Sequence, residues 1–250
     1  MTDINDAAGT TKLTDQLSQA MRDGQTIGTE GLVVPDVSGA YAIQADILNR
    51  LGAGAPKGYK FSLRDGGLYG APLIFVSTVP ESPFCAGIKV EIELALTLGR
   101  DLPPRAHPYS RQDIVDAIES VAIGVELVRS RYTQGPGSSL PLLLSDMMSN
   151  VGYIVGPVLD RALLAEGAEL GTLVLTNGET VLFDGAPRHP DGDPLAAVIA
   201  AANGGLPMGG HLTKGAVVTT GTLCGAPSIP AASEFTASLG GQSITVTLTA

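Results

Sequence analysis

The segment Val90-Glu91-Ile92-Glu93-Leu94-Ala95-Leu96-Thr97-Leu98 alternates in the way that a β-strand requires. Successive side chains of a strand point to opposite faces, so the aliphatic side chains at the even-numbered positions share one face. Glu91 and Glu93 share the opposite face. We expect a strand this apolar to lie in a core, and the face that carries the two glutamates to be partly dry.

The two glutamates of this strand predict a cation site. Carboxylates at adjacent positions on one face lie roughly 7 Å apart, and they repel each other in a partly dry site. A divalent cation would remove this conflict, and all-oxygen ligation favours Mg²⁺ or Mn²⁺ over Zn²⁺. A solvated edge strand with two surface glutamates is the alternative that the pair alone leaves open.

Glu126 is a third carboxylate in an apolar setting. It stands in Gly124-Val125-Glu126-Leu127-Val128, which we place just after a third helix. A lone carboxylate among apolar residues needs a partner. With the first two glutamates it would complete a facial carboxylate set that leaves positions open for substrate oxygens. A salt bridge with Arg129 or Arg131 is the alternative.

Three helices are predicted in the first half of the chain. Asp36 or Ser38 caps the second helix and Gly52 ends it, while a capping box of Ser110 and Asp113 opens the third. The buried stripes are Leu13, Leu17 and Met21 in the first helix, Ala40, Ile43, Ile47 and Leu51 in the second, and Ile114, Ile118, Val121 and Val125 in the third.

Strands dominate the rest of the chain. They are predicted at 151–158, 173–176, 180–183, 216–220 and 244–249, with a hairpin turn at Asn177-Gly178 and an Ala-rich helix from Asp193-Pro194 to Asn203-Gly204. Helices followed mostly by strands indicate an α+β fold. We expect an N-terminal helical segment over 1–56 and a β-rich catalytic domain over 57–250, packed as one unit.

Composition excludes several classes of protein. Hydrophobic residues make up 44% of the chain and charged residues 16%, which is enough for a buried core and argues against disorder. A net charge of −10 repels polyanions, so we expect no nucleic-acid partner and no membrane partner. The apolar runs are shorter than the ~20 residues of a membrane span, and the first residues have no basic region and no apolar core, so we expect neither a span nor a signal peptide. The expected location is the cytoplasm.

Several short motifs follow one another in a specific order. They are Gly58-Tyr59-Lys60, the Glu91-x-Glu93 strand running into Leu98-Gly99-Arg100-Asp101-Leu102-Pro103, Glu126 with Ser130-Arg131, Asp146-x-x-Ser149, and Tyr153-Ile154-Val155-Gly156. Each motif is weak alone. The ordered set resembles the 2-keto-4-pentenoate hydratase and 4-oxalocrotonate decarboxylase family of the fumarylacetoacetate hydrolase superfamily, from about Leu13 to the C-terminus.

The resemblance implies a fold, a site and a chemistry. It implies a mixed β-roll core like the C-terminal domain of fumarylacetoacetase, and a Mg²⁺ or Mn²⁺ site of Glu91, Glu93 and Glu126. The implied substrates are small 2-keto acids from the meta-cleavage of aromatic rings. A homo-oligomer is implied as well, with association with a sister hydratase or decarboxylase as a further possibility.

Three further residues take roles from the same resemblance. Lys60 carries over as a catalytic and substrate-binding residue that pairs with substrate oxygens or transfers a proton, unless it is an ordinary surface lysine. Ser149 carries over as a catalytic hydrogen-bond donor near the substrate, unless it is an ordinary turn residue. Arg131 carries over as a substrate-binding residue.

Two departures from the family pattern bear on the reaction. The segment Gly70-Ala71-Pro72-Leu73-Ile74-Phe75 lacks the acid that many hydratases have there, and Arg129 replaces the usual Asp before Ser-Arg. Asp65 could supply a carboxylate, but nothing in the sequence positions it. Water addition needs proton transfer at the far carbons, so the missing acid weakens that reaction. We expect a hydratase of 2-hydroxy-2,4-dienoates; the alternatives are a 2-keto-3-enedioate decarboxylase and a non-catalytic partner subunit.

Overall fold

The computed structural model describes residues 4–135 and 139–250, and within them five α-helices and twelve strands. The helices are α1 Ile4–Asp23, α2 Val37–Leu51, α3 Arg111–Ala117, α4 Leu140–Ser145 and α5 Ala196–Gly204. The strands are β1 Gly58–Arg64, β2 Gly67–Pro72, β3 Val76–Ser77, β4 Glu81–Pro83, β5 Lys89–Leu98, β6 Ile118–Val128, β7 Asn150–Val158, β8 Leu173–Asn177, β9 Thr180–Gly185, β10 Val217–Thr219, β11 Glu234–Leu239 and β12 Gln242–Thr249.

The strands form two mixed sheets that share one core. The larger sheet has the order β2-β1-β10-β5-β6-β7-β3, and the smaller has the order β4-β12-β11-β8-β9. Apolar side chains of both sheets belong to one buried cluster, with Ile92 and Leu96 of β5 on one side and Leu175 of β8 and Phe235 of β11 on the other. The mixed sheets with their helices confirm the α+β class.

The central strand β5 has the two faces that its sequence predicts. Its even-numbered aliphatic residues from Val90 to Leu98 lie in the large core between the sheets. Ala95 faces the other way, into a smaller cluster with Tyr153. The glutamates of β5 lie on that second face, so the strand separates the core of the protein from its candidate site.

The second N-terminal helix begins and ends where the sequence predicts, and the first, Ile4–Asp23, contains the predicted stripe of Leu13, Leu17 and Met21. The side chain of Asp36 accepts a hydrogen bond from the Gly39 amide at 2.7 Å and caps α2. Gly52 ends that helix in the left-handed conformation, with φ of 63°. Both helices share a buried cluster with α4 and with Ala71 and Ile74 beside β2. The division of the chain at residue 56 stays a prediction.

The predicted third helix is wrong in its second half. The capping box of Ser110 and Asp113 is present, but the helix that it opens ends at Ala117. Residues 118–128 form β6, paired antiparallel with β5 along almost its whole length. The apolar positions 121 and 125 fit a helix stripe and a strand face equally well, and the odd-numbered alternation from 121 to 127 prevails because it buries that face in the core. Glu126 therefore lies within a strand.

Other elements agree with the sequence, and some were missed. The hairpin at Asn177-Gly178, helix α5 and strands β7, β10 and β12 are confirmed. Strands β1, β2 and β11 and helix α4 were not predicted, because Gly and Pro interrupt their hydrophobic patterns or the segments are too short to show a period. Among the described helices, none is both long and apolar enough to cross a membrane.

Candidate metal centre

Three glutamates converge on the second face of the larger sheet. Glu91 and Glu126 stand directly opposite each other in the register of β5 and β6, and Glu93 lies two residues further along β5. One carboxylate oxygen from each lies within 4.8 Å of the other two. Glu126 is 0% exposed and Glu93 1% exposed, whereas the side chain of Glu91 retains 19% exposure. The structure thus brings together the residues predicted as metal ligands.

Lys60 of β1 lies against the same cluster. Its Nζ donates to Glu126 Oε1 at 2.6 Å and to the Met148 carbonyl oxygen at 3.2 Å, and it lies 4.0 Å from Glu91 Oε2. Lys60 is 8% exposed and is therefore not a surface lysine. The partner of Glu126 is this lysine, and not Arg129 or Arg131.

The two oxygens of Glu126 have different surroundings. Oε1 accepts from Lys60 and also from Asn150 Nδ2 at 2.8 Å. Asn150 is held in turn by the Ile74 amide, which donates to its Oδ1 at 2.8 Å. Oε2 is buried and has no hydrogen-bond partner among the described residues. A buried carboxylate oxygen without a donor is costly, so this atom suits a cationic ligand.

Glu93 is held by a residue of the neighbouring strand β10. The Thr219 hydroxyl of β10 donates to Glu93 Oε2. On the other neighbouring strand, β6, Gly124 stands opposite Glu93, and a Cβ built there would lie 1.9 Å from the Tyr153 hydroxyl. Only glycine therefore leaves room for the Tyr153 ring beside the glutamates.

Burial and mutual repulsion perturb the ionisation of the cluster. Burial, together with the charges of Glu126 and Glu91, raises the pKa of Glu93 well above its usual value. Burial also raises the pKa of Glu91, and Lys60 opposes that shift. Burial lowers the pKa of Lys60, but the three carboxylates outweigh it, so the net shift is upward.

The charges of the site fit a divalent cation. When all three carboxylates are ionised, as metal ligands must be, they and the Lys60 ammonium group leave two negative charges uncompensated, which one divalent cation would neutralise. The donor set is entirely oxygen and one of its atoms lacks a partner, as a hard cation requires. Glu91, Glu93 and Glu126 could therefore hold a metal ion.

A cavity of about 680 Å³ opens beside the carboxylates. Lys60, Ser149, Glu91 and Glu93 line it, and so do the cationic side chains of Arg64, Lys89 and Arg129. Within the described part of the chain, Glu91 and Glu93 are the acidic residues that line this cavity. Asp65 is exposed in the turn between β1 and β2 and supplies no carboxylate there.

Arg131, predicted to bind substrate, does not lie at the cavity. It is 1% exposed and does not line the cavity. Its Nε lies 2.5 Å from Asp146 Oδ1, and its remaining nitrogens bind main-chain carbonyl groups. The prediction that Arg131 contacts substrate is therefore corrected: the Asp146 carboxylate and the backbone of the turn before β7 occupy its guanidinium.

Two residues of the site were missed at the sequence level. Asn150 binds Glu126, and Thr219 binds Glu93. Asn150 is the first residue of β7 and directly follows the Ser149 motif, and Thr219 is the last residue of the apolar strand β10. A rule that treats polar residues at the ends of buried strands as site candidates would have found them.

Comparisons with known proteins agree with this geometry. No family model matches the sequence. The 2-keto-4-pentenoate hydratase 1 of Dechloromonas aromatica (strain RCB) is 30% identical over 155 residues, which are 61% of this chain and 57% of that protein. A 4-oxalocrotonate decarboxylase of a Pseudomonas species is 29% identical over 145 residues, which are 56% of this chain and 52% of that protein. The chain matches little more than half the length of these relatives.

Solved structures extend the similarity to the whole chain. The 4-oxalocrotonate decarboxylase from Pseudomonas putida G7, complexed with magnesium and adipate, has a TM-score of 0.77 over 96% of this chain and 97% of its own, at 21% identity. A fumarylacetoacetate hydrolase family protein from Yersinia pestis CO92 has a TM-score of 0.55 over 76% of this chain, at 15% identity. The chain has the fumarylacetoacetate hydrolase fold.

This fold confirms the predicted β-roll core. Over little more than half of its length, the chain is similar in sequence to 2-keto-4-pentenoate hydratases and to a 4-oxalocrotonate decarboxylase, as the ordered motifs predict. Members of both groups appear at nearly the same identity, so sequence similarity alone does not choose between their reactions.

Proposed function

We propose that the chain is a divalent-metal-dependent lyase that acts on small 2-keto acids. The observation that carries this proposal is the cluster of Glu91, Glu93 and Glu126, buried against Lys60 on the wall of a cavity. The three glutamates would hold Mg²⁺ or Mn²⁺. When bound, such a cation supplies Lewis acidity toward the carboxylate and the neighbouring keto oxygen of a 2-keto acid.

The side chains around the cluster have separate tasks. Glu91, Glu93 and Glu126 would bind the divalent cation and give the site its negative charge. The protonated Lys60, held by Glu126 and the Met148 carbonyl group, can donate a hydrogen bond or a proton to a substrate oxygen. Ser149 lines the cavity, and its buried hydroxyl group has no partner among the described residues, so it is free to bind substrate.

Decarboxylation of a 2-keto-3-enedioate is the reaction that the cavity supports best. Besides the two cluster glutamates, the described residues place no acid on its wall, and water addition needs a proton-transfer group at the far carbons. Decarboxylation needs no general base: the bond to the distal carboxylate breaks, CO₂ leaves, and the electron pair passes through the conjugated double bond to the keto oxygen. The resulting dienolate then takes one proton, from Lys60 or from solvent. Arg64, Lys89 and Arg129 would attract a dianionic substrate to a protein that is negatively charged as a whole.

Hydration of a 2-hydroxy-2,4-dienoate is the second candidate. The sequence relatives favour it, because the hydratase 1 of Dechloromonas aromatica matches 155 residues of this chain and the Pseudomonas decarboxylase matches 145. Lys60 would then have to supply the proton transfers that a separate acid supplies in other enzymes. A non-catalytic subunit that supports a sister enzyme is the remaining possibility from the sequence.

One substrate panel distinguishes these functions. The purified protein is incubated with Mg²⁺ or Mn²⁺ and either a 2-keto-3-hexenedioate or a 2-hydroxy-2,4-dienoate, and ultraviolet absorbance and product mass are read. We expect metal-dependent release of CO₂ from the enedioate, lost in Glu93→Gln and retained in Glu119→Gln, whose side chain is exposed on the same sheet. Formation of a 4-hydroxy-2-keto acid from the dienoate would identify a hydratase instead. Turnover without metal, or no turnover of either substrate, would contradict the proposal.

We also propose that the protein acts in the cytoplasm as a homo-oligomer, and that it can associate with a sister enzyme. Large apolar side chains on its surface support assembly, since Phe75 is 69% exposed, Val79 60% and Val158 61%. Light scattering at several concentrations would measure the subunit number. A monomer at every concentration would contradict this part of the proposal.

A further inference from the structure

Three consecutive residues beside the site have a left-handed backbone. Met147, Met148 and Ser149 have φ of 51°, 50° and 66°. A Cβ atom makes this conformation unfavourable, and none of the three residues is glycine or asparagine. They form the single turn between α4 and β7. Such a run persists only when surrounding contacts determine it, and backbone strain of this kind occurs at functional sites.

Arg131 supplies those contacts. Its Nη2 donates to the Asp146 carbonyl oxygen at 2.6 Å, and its Nη1 to the Asn150 carbonyl oxygen at 2.8 Å, so that one guanidinium bridges the two ends of the turn. The Asp146 carboxylate completes the connection, because it accepts from the Arg131 amide at 3.0 Å and pairs with its Nε. The Arg129 amide donates to the Ser149 carbonyl oxygen at 2.8 Å.

The Met147–Ser149 turn also fixes Lys60 and Glu126. The Met148 carbonyl group accepts from Lys60, and Asn150, at the end of the turn, donates to Glu126 Oε1. These two contacts decide where the Lys60 ammonium group lies and which oxygen of Glu126 stays free. A turn that relaxed to ordinary φ angles would move both.

We propose that Arg131 is a positioning residue, which holds the Met147–Ser149 turn left-handed so that Glu126 presents its free oxygen to a cation and Lys60 stays beside the cluster. The inference rests on the proposed function only where Mn²⁺ affinity is measured. The contacts that it concerns all lie within the chain. It assigns Arg131 a role that involves no contact with substrate.

The test is a set of variants built on position 149. Ser149→Gly and Ser149→Ala both remove the hydroxyl group and differ in the freedom to adopt positive φ. Each is made alone and with Arg131→Lys, and Arg131→Lys is also made alone. Lysine keeps the charge but presents a single nitrogen in place of the planar guanidinium fork. Melting temperature and Mn²⁺ affinity, by calorimetry without substrate, are measured for all five variants and the wild type.

We expect Ser149→Gly to melt above Ser149→Ala, by about 2–4 °C, because glycine relieves the strain. Arg131→Lys should weaken Mn²⁺ binding at least tenfold at a temperature where the protein is folded. In the Ser149→Gly background, Arg131→Lys should lower the melting temperature and the Mn²⁺ affinity by less than it does in the Ser149→Ala background.

Two results would overturn the inference: wild-type Mn²⁺ affinity in folded Arg131→Lys, or equal costs of Arg131→Lys in the two backgrounds. A wild type that binds no Mn²⁺ would remove the proposed function. The melting temperatures would then still decide whether Arg131 holds the turn. A larger fall caused by Arg131→Lys in the Ser149→Ala background than in the Ser149→Gly background supports the inference, and equal falls refute it.

Discussion

Glu91 and Glu126 face each other across β5 and β6 as a directly opposed pair of carboxylates. Like charges in such a cross-strand position normally destabilise a sheet. Here Lys60 lies against both, 2.6 Å from one carboxylate and 4.0 Å from the other, and Glu93 adds a third carboxylate to the same face. The sheet therefore carries a local excess of negative charge that its fold does not need, and that a cation would stabilise.

Removal of the Glu126 charge should weaken the binding of a divalent cation to the three glutamates. Glu126→Gln keeps an oxygen for Lys60 and Asn150 but loses the free buried carboxylate oxygen. We expect Mn²⁺ affinity, measured by calorimetry, to fall by about 100-fold or more, because loss of a ligand exceeds the 10–100-fold effect of losing an outer partner. Glu119→Gln on the same strand is the matched control. Equal affinity in the two variants would show that Glu126 is not a ligand.

Metal binding should depend on pH in a defined direction. Burial, with the charges of Glu126 and Glu91, raises the pKa of Glu93 well above its usual value, so a cation must displace a proton from this group. Affinity for Mn²⁺ should therefore rise with pH. Calorimetry in buffers with different ionisation enthalpies should detect the released proton, and the absence of proton release would contradict the assignment of Glu93.

The same shift predicts how the metal changes stability. A carboxyl group whose pKa is raised on folding contributes stability at low pH, and this contribution is lost as the pH rises through the folded value. The metal-free protein should lose stability as the pH rises above about 4.5, toward the raised pKa of Glu93. The increase in melting temperature caused by Mn²⁺ should therefore be larger at pH 8 than at pH 5. An increase that is the same at both pH values would count against this linkage.

The β5 pattern predicted the core and two of the three clustered carboxylates, because strand alternation fixes which side chains share a face. Glu126 was identified by its apolar neighbours, but it was placed after a helix. Positions 121 and 125 suit a helix and a strand alike, and pairing with β5, a long-range contact, decides between them. Arg131 was misplaced for a related reason. Its partners are main-chain carbonyl groups of a left-handed turn, which residue types such as Met and Ser do not reveal.

Lys60 should be dispensable for metal binding and required for turnover. Lys60→Met removes the ammonium group that competes for Glu126, so we expect Mn²⁺ to bind at least as tightly as in the wild type. Without the metal this variant should melt at a lower temperature, because the carboxylates lose their positive partner. Turnover of the preferred 2-keto acid should be lost at saturating Mn²⁺. Unchanged turnover would mean that Lys60 only balances charge.

Gly124 should tolerate no side chain while Tyr153 is present. A Cβ at this position would lie 1.9 Å from the Tyr153 hydroxyl oxygen and 2.8 Å from its ring carbon, so Gly124→Ala must displace the ring or separate the strands. We expect a loss of about 1–3 kcal/mol in the free energy of unfolding. Gly152→Ala on β7 is the matched control, since its Cβ would meet Leu127 at an ordinary 3.8 Å. Addition of Tyr153→Phe to Gly124→Ala removes the closest atom and should recover part of the loss, whereas a purely additive double variant would show that the two residues do not exclude each other.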